Sequence, residues 1–386
     1  MPISPLLGAS SPIPPADQDL VRALTTAEAE LISGLPSDDP GDPKRRRRVG
    51  HTQTEIEQQP ACVAQTIEQN RPVVGAIARE LAARRPKRIV LTGCGDSLAC
   101  HIGMRLVWEA ATGLPAIPVQ ALDLAYYPGA LIDEQTVVLG LSSSGTTPRT
   151  VEAMLTARQK GAATVALTNT PGSSITDIAD HGLLISAERK GWPTQASTAA
   201  MALEVQLAGA LGAAMGRPEP APELLPEALA GQVEAALAAA AGPAAAIGRR
   251  LSGDGLVHLC GGGPAFASAL FGAAKIKECT SGHGQAHPLE EVHHYTSVKP
   301  GESMIILAPD GPSRARAADT ARQVRAWGGH TVGIVSAGDE TLSALCDETV
   351  VLPSGPEALA ALTFTIPLHY IALHMALGEF ERADNG

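Results

Sequence analysis

Apolar residues along this chain come in two rhythms that alternate. RIVLTG, TVVLGL and ATVALT are short unbroken apolar runs, each ending in glycine or hydroxyl residues, as strands buried on both faces of a parallel sheet do. From Glu55 to about Arg85, and again around Ala199–Met215 and Leu229–Leu251, apolar positions recur at helical spacing instead. The segment TVVLGLSSSGTTPRTVEAMLTARQKG reads as strand, polar loop and helix, and ATVALTNTPGSSITDIAD repeats that order. Successive strand–helix units predict an α/β fold with a parallel sheet flanked by helices on both faces.

The pattern then repeats at larger scale. VHLCGGGPAFASALFGAAK restates IVLTGCGDSLACHIGMRL, and MIILAPDGPSRARAADTARQVRAWGGHTVGIV restates VVLGLSSSGTTPRTVEAMLTARQKGAATVALT. Two such domains are therefore expected in tandem. The predicted layout is a disordered tail over 1–49, lead-in helices over 50–86, and a first domain over 87–215. A linker helix over 216–254, a second domain over 255–380 and a short tail over 381–386 complete it. The first tail is rich in Pro, Asp and Ser and ends in the basic run Lys44–Arg48, read as a solvated linker, with one helix expected around Leu20–Leu35.

Comparing the copies separates scaffold from chemistry. Gly145 faces Gly311, as a shared turn geometry would require. The hydroxyls are not shared: Ser142, Ser143 and Ser144 face Ala308, Pro309 and Asp310, and Ser97 faces Ala265. A loop that leaves a parallel strand and opens a helix aims free amides and the positive helix end at whatever lies above the sheet. In LSSSGTTPRT the hydroxyls of Ser142, Ser144 and Thr147 add donors for a phosphate dianion, with Gly145 permitting close approach. An ordinary serine-rich helix cap is the alternative. Only the first copy is expected to hold an anion.

Composition narrows the classes. Aromatics make up 3% of the 386 residues, so the core must be aliphatic. A formal charge of −11 repels polyanions, which argues against nucleic acid as a partner. The six cysteines form no Cys-x-x-Cys pair, and the start of the chain lacks a signal-peptide pattern, so a reduced, cytoplasmic protein is expected. No apolar run is read as a membrane span.

The order GCGDS, LSSSGTTPRT, TNTPGSSI and QASTAAM resembles the sugar isomerase, or SIS, domain, from about residue 51 to about 378. Two copies in tandem resemble the isomerase half of glucosamine-6-phosphate synthases, down to a leading EIEQQP. The resemblance implies that Ser97 contacts the sugar phosphate or a sugar hydroxyl, and that Ser142, Ser144 and Thr147 bind the phosphate. Ser143 stands where relatives have a glutamine that serves the same end. Ser197 matches a serine on the substrate's hydroxyls, while Ala199 stands where lysine is usual.

The resemblance also implies chemistry in KIKECTSGHGQAHPLEEVHHYT, with Glu278 as general base and His294 as a ring-opening acid–base group supplied by a neighbouring subunit of a homodimer. Glu291 is a reserve substrate-contacting acid. An aldose–ketose interconversion needs one carboxylate on one face of an enediol, and ring opening needs a group titrating near neutrality. His283, His287, His293 and His294 also invite a metal reading, but the lone Cys279 does not complete a motif, and the family chemistry needs no metal and no cofactor.

Residues 1–50 are too short and polar for the synthases' glutaminase, and no lysine follows Lys299 to form their Schiff base, so amination is not expected. The expected function is an enzyme on an aminosugar or ketose phosphate, working by enediol or enolamine proton transfer as an isomerase or glucosamine-6-phosphate deaminase does. A deglycase of ketose-amine phosphates is the near alternative, and a non-catalytic sugar-phosphate sensor the alternative of another class. His293 and Tyr295 alter the rim beside the catalytic histidine, which points to a different substrate.

Overall fold

A computed structural model describes residues 13–295 and 298–385. The first half runs α1 (Pro15–Ser33), α2 (Pro43–Glu57), α3 (Gln59–Ala83), β1 (Arg88–Gly93), α4 (Asp96–Thr112), β2 (Ala116–Gln120), α5 (Ala121–Tyr126), β3 (Thr136–Leu141), α6 (Pro148–Gln159), β4 (Ala163–Thr168), α7 (Ser174–Ile178), β5 (His181–Leu184) and α8 (Gln195–Ala214). The helix α9 (Pro226–Leu251) leads to β6 (Leu256–Gly261), α10 (Pro264–Cys279), β7 (His283–Pro288), β8 (Ser303–Ala308), α11 (Arg314–Ala326), β9 (His330–Ser336), α12 (Glu340–Leu345), β10 (Glu348–Leu352), α13 (Ala360–Phe364) and α14 (Ile366–Asn385).

The strands form two five-stranded parallel sheets, β2-β1-β3-β4-β5 and β7-β6-β8-β9-β10, each flanked by helices. The strand order is the same in both. Pairing register fixes the correspondence between copies: Ile89 pairs with Val137 in the first sheet as Val257 pairs with Ser303 in the second. That register sets Ser142 opposite Ala308. The central strands are buried along nearly their whole length, which is why they read as continuous apolar runs. One hydrophobic cluster joins α3, α4, α8 and α9 to α10, α13 and α14, so the two sheets share a core.

Three expectations are revised. The amino-terminal stretch is not a solvated linker where it is described: α1 buries Val21, and α2 carries the basic run with Arg45 only 2% exposed. Arg45 donates to Glu379 at 2.7 Å and to the carbonyl of Cys279 at 2.8 Å. Composition hides this because Arg45's partners lie more than 200 residues away; its apolar stem packs while its head finds them. Helix α14 likewise continues through most of the expected carboxy-terminal tail. Residues 1–12 and 386 of those tails lie outside the described residues.

Second, one stretch, Glu357–Asn385, does reach the length and hydropathy of a membrane span, but 78% of its apolar window is buried against the rest of the chain. It is a core segment, apolar on every side because it is surrounded. Third, Gly145 and Gly311 are glycines for different reasons. Gly145 has φ +67°, whereas Gly311 is absent from the left-handed region and instead lies hard against the Glu357 carboxylate.

Candidate functional site

The site forms where the carboxyl end of the first sheet meets the end of a helix from the second copy. After β1, Gly95 at φ +55° turns the chain into α4 and sets Asp96 and Ser97 at its first turn. After β3, the backbone turns at Gly145, whose N–H donates to the carbonyl of Ser142 at 2.9 Å. A β-carbon there would overlap the Ser173 side chain, so glycine is required twice over. Pro148 then opens α6 with Thr147 as its cap residue.

Ser97, Ser143, Ser144, Thr147, Ser197 and Glu278 line one cavity of about 280 Å³. Ser142 does not line it. It is buried behind the loop, its hydroxyl 2.9 Å from that of Thr147, so it orients a cavity hydroxyl. Ser143 donates to Asn169 Oδ1 at 2.8 Å, and Ser144 Oγ accepts from the Thr146 N–H at 3.2 Å. Cys94 and Cys100 also line the cavity, and burial pushes both thiol pKa values up, which keeps them neutral and poorly nucleophilic.

Glu278 sits in the last turn of α10 and is fastened by a lysine that sequence reading missed. Lys275, 1% exposed, bonds to Asp96 Oδ2 at 2.7 Å and to Glu278. Burial alone would lower the Lys275 pKa, but the two carboxylates overcome it and the ammonium is held above its ordinary value. Burial raises the Glu278 pKa and Asp96 raises it further, against the pull of Lys275 and Arg48. A carboxyl held above the usual range is suited to giving and taking a proton. The clue in the sequence was a lysine three residues before Glu278 on an otherwise apolar helix face.

His294 and Glu291 are not brought into this cavity by the chain that carries Glu278. Both are exposed on the turn after β7; His294 lies 3.7 Å from Glu290, which Arg316 grips through two bonds of 2.7 Å. The neighbouring histidines disperse: His293 bonds to Thr320 at 2.8 Å, and His287 meets His258 at 3.0 Å. Among the described residues no group of three or more His, Cys, Asp or Glu side chains is arranged to hold a metal.

A hydroxyl-lined cavity at the carboxyl edge of one parallel sheet, closed by an ion-paired carboxylate from its duplicate, is the site that this two-domain α/β protein presents. The SIS domain model matches residues 83–213 and 254–378, and the chain belongs to that family. It is similar to the glutamine–fructose-6-phosphate aminotransferase (isomerizing) of Methanothermobacter thermautotrophicus, 28% identical over 328 residues that cover 84% of this chain and 54% of that protein. The chain thus spans about half the length of the curated relatives it matches. Among solved structures, the C-terminal domain of glucosamine-fructose-6-phosphate aminotransferase from Francisella tularensis superposes with TM-score 0.75 at 20% identity, over 85% of this chain and 96% of that one. Glucosamine-6-phosphate deaminase from Thermotoga maritima superposes with TM-score 0.64 at 15% identity, over 84% and 94%.

Proposed function

We propose that the protein is an enzyme acting on an aminosugar or ketose phosphate, moving a proton between adjacent carbons through an enediol or enolamine. The observation that carries this reading is that Glu278, with its raised pKa, shares one cavity with the hydroxyls of Ser97, Ser143, Ser144 and Thr147. The phosphate lies against the Ser143–Thr147 loop, Ser97 and Ser197 meet the sugar's oxygens, and Glu278 faces the reacting carbons. Lys275 keeps the carboxyl in place and stabilises its ionised form.

In an isomerase the reaction ends after proton transfer. In a deaminase, the proton moves from C2 to C1 of an open aminosugar, water adds to the resulting C2 imine, and the C–N bond breaks to release ammonia. A second copy of the chain supplies His294 for ring opening; the exposure of His294 beyond the cavity supports that sharing. We place the protein in the cytoplasm, where its six unpaired thiols, most of them buried, would stay reduced.

The test is exchange into heavy water of a C1 proton of fructose 6-phosphate, or of the C2 proton of glucosamine 6-phosphate. Glu278→Gln lowers the rate by about 10²–10⁴-fold, and the acid limb of the wild-type profile falls above the ordinary glutamate range because the base must be ionised. Full activity in Glu278→Gln would overturn the mechanism. Mixing Glu278→Gln with His294→Ala chains restores activity only if the site is shared.

A further inference from the structure

The cavity has a second cationic feature that phosphate binding on the serine loop leaves unused. Arg189 lines it together with Pro193 and Ser197. Arg48, the last residue of the basic run in α2, stacks over the Trp192 ring at 3.6 Å. Neither guanidinium has a carboxylate within ion-pair distance among the described residues, and Arg48 Nε is buried with no hydrogen-bond partner. The charges of Glu278 and Arg189 both act on Arg48, so the three groups are neighbours.

The pair is held in place before any ligand arrives. The Glu55 carboxylate accepts from the N–H groups of Lys190 at 2.7 Å and Gly191 at 2.9 Å, and Thr52 Oγ1 accepts from Trp192 N–H at 2.8 Å. A β-carbon on Gly191 would overlap the Thr52 backbone, so the Arg189 loop docks flush on α2. Helix α2 is itself anchored through Arg45 to Glu379 and the carbonyl of Cys279, the residue after Glu278. The Glu55 charge acts on both arginines, and its Oε1 is occupied by the two backbone donors.

Burial works against both guanidinium charges, opposed by the field of Glu55 and, at Arg48, also of Glu278. Two fixed cations, Arg189 lining the cavity that holds Glu278 and Arg48 within the field of Glu278, neither of them part of the serine loop, suit a second anion rather than the phosphate. We propose that Arg48 and Arg189 form a second anion site, so that the substrate is a phosphosugar whose reacting end bears an amine carrying a further acidic group. This rests on the reading of the cavity as a phosphosugar site and narrows it to conjugates of ketose phosphates with acidic amines.

The test is calorimetric titration of the full chain carrying Glu278→Gln, which prevents turnover, with three probes: fructose 6-phosphate, its ketose-amine conjugate with an amino acid, and fructose 1,6-bisphosphate. The conjugate binds about tenfold or more tighter than fructose 6-phosphate, and Arg189→Gln or Arg48→Gln collapses that ratio. The exposed Arg189 loop tolerates substitution, so the comparison survives if Arg48→Gln does not fold. A matching gain for the bisphosphate upholds the second site with phosphate as its guest. A ratio near one, or a ratio indifferent to Arg189→Gln, overturns the proposal while leaving the phosphosugar reading intact. Failure of all three probes to bind overturns both.

Discussion

The two copies place the same loop after the same strand and use it in opposite ways. In the first, Ser143, Ser144 and Thr147 face open space. In the second, the Glu357 carboxylate lies against Gly311 and close to Gly263, the counterpart of Gly95, so the chain's own anion fills that ground. Asp310 adds a second carboxylate, paired with Arg314 at 3.0 Å, which also bonds Asp339 at 2.8 Å. Trp192 and Glu357 stand at matching places, each three residues before the following helix. The helices after the first strand of each copy reverse the contrast. Where α10 carries Lys275 and Glu278, α4 has Val107 and Ala110 at the same offset. Under the proposed function, one copy binds and the other reacts, because ground that already holds the chain's own carboxylate disfavours a phosphate.

The largest test of this division is Lys275→Met. It leaves Asp96 and Glu278 as half-buried carboxylates without the cation between them and costs about 1–3 kcal/mol by denaturant unfolding. Val107→Met, at the matching place in α4, removes no charge partner and costs only the strain of a larger side chain. An equal loss in both would erase the contrast between helices.

Next in size is the glycine pair. Gly145→Ala forces an alanine to φ +67° and into Ser173, costing about 1–3 kcal/mol and weakening phosphosugar binding in titration. Gly311→Ala meets only the far end of the Glu357 side chain, which can swing away, so it costs about 1 kcal/mol or less and leaves binding as it was.

The smallest effect is electrostatic. Burial raises the Glu357 pKa above the ordinary value of 4.5, so the folded state favours the protonated form. That contribution is complete at low pH and is lost as pH rises from about the ordinary glutamate value through the raised one. Glu357→Gln flattens the stability profile over that window in urea melts, and an unchanged slope would show that the carboxylate is not confined there.

The alternation of buried strands with helices, the doubling, and the serine loop were all legible from local pattern, because a buried parallel strand and a strand–loop–helix turn leave their marks within a dozen residues. So were Glu278 and the hydroxyls that share its cavity, though Ser142 proved to stand behind the loop, orienting Thr147. Lys275 was passed over since its partner Asp96 is 179 residues away. Arg45 and Arg48 were read as solvated because four consecutive arginines look like a charged linker until Cys279, Glu379 and Trp192 are folded against them. What the sequence determined alone is the architecture and the contrast between the two loops, both properties of neighbouring residues. What only the tertiary structure decided is the charge balance around Glu278, since ion pairs and burial depend on groups that the chain brings together from its two ends.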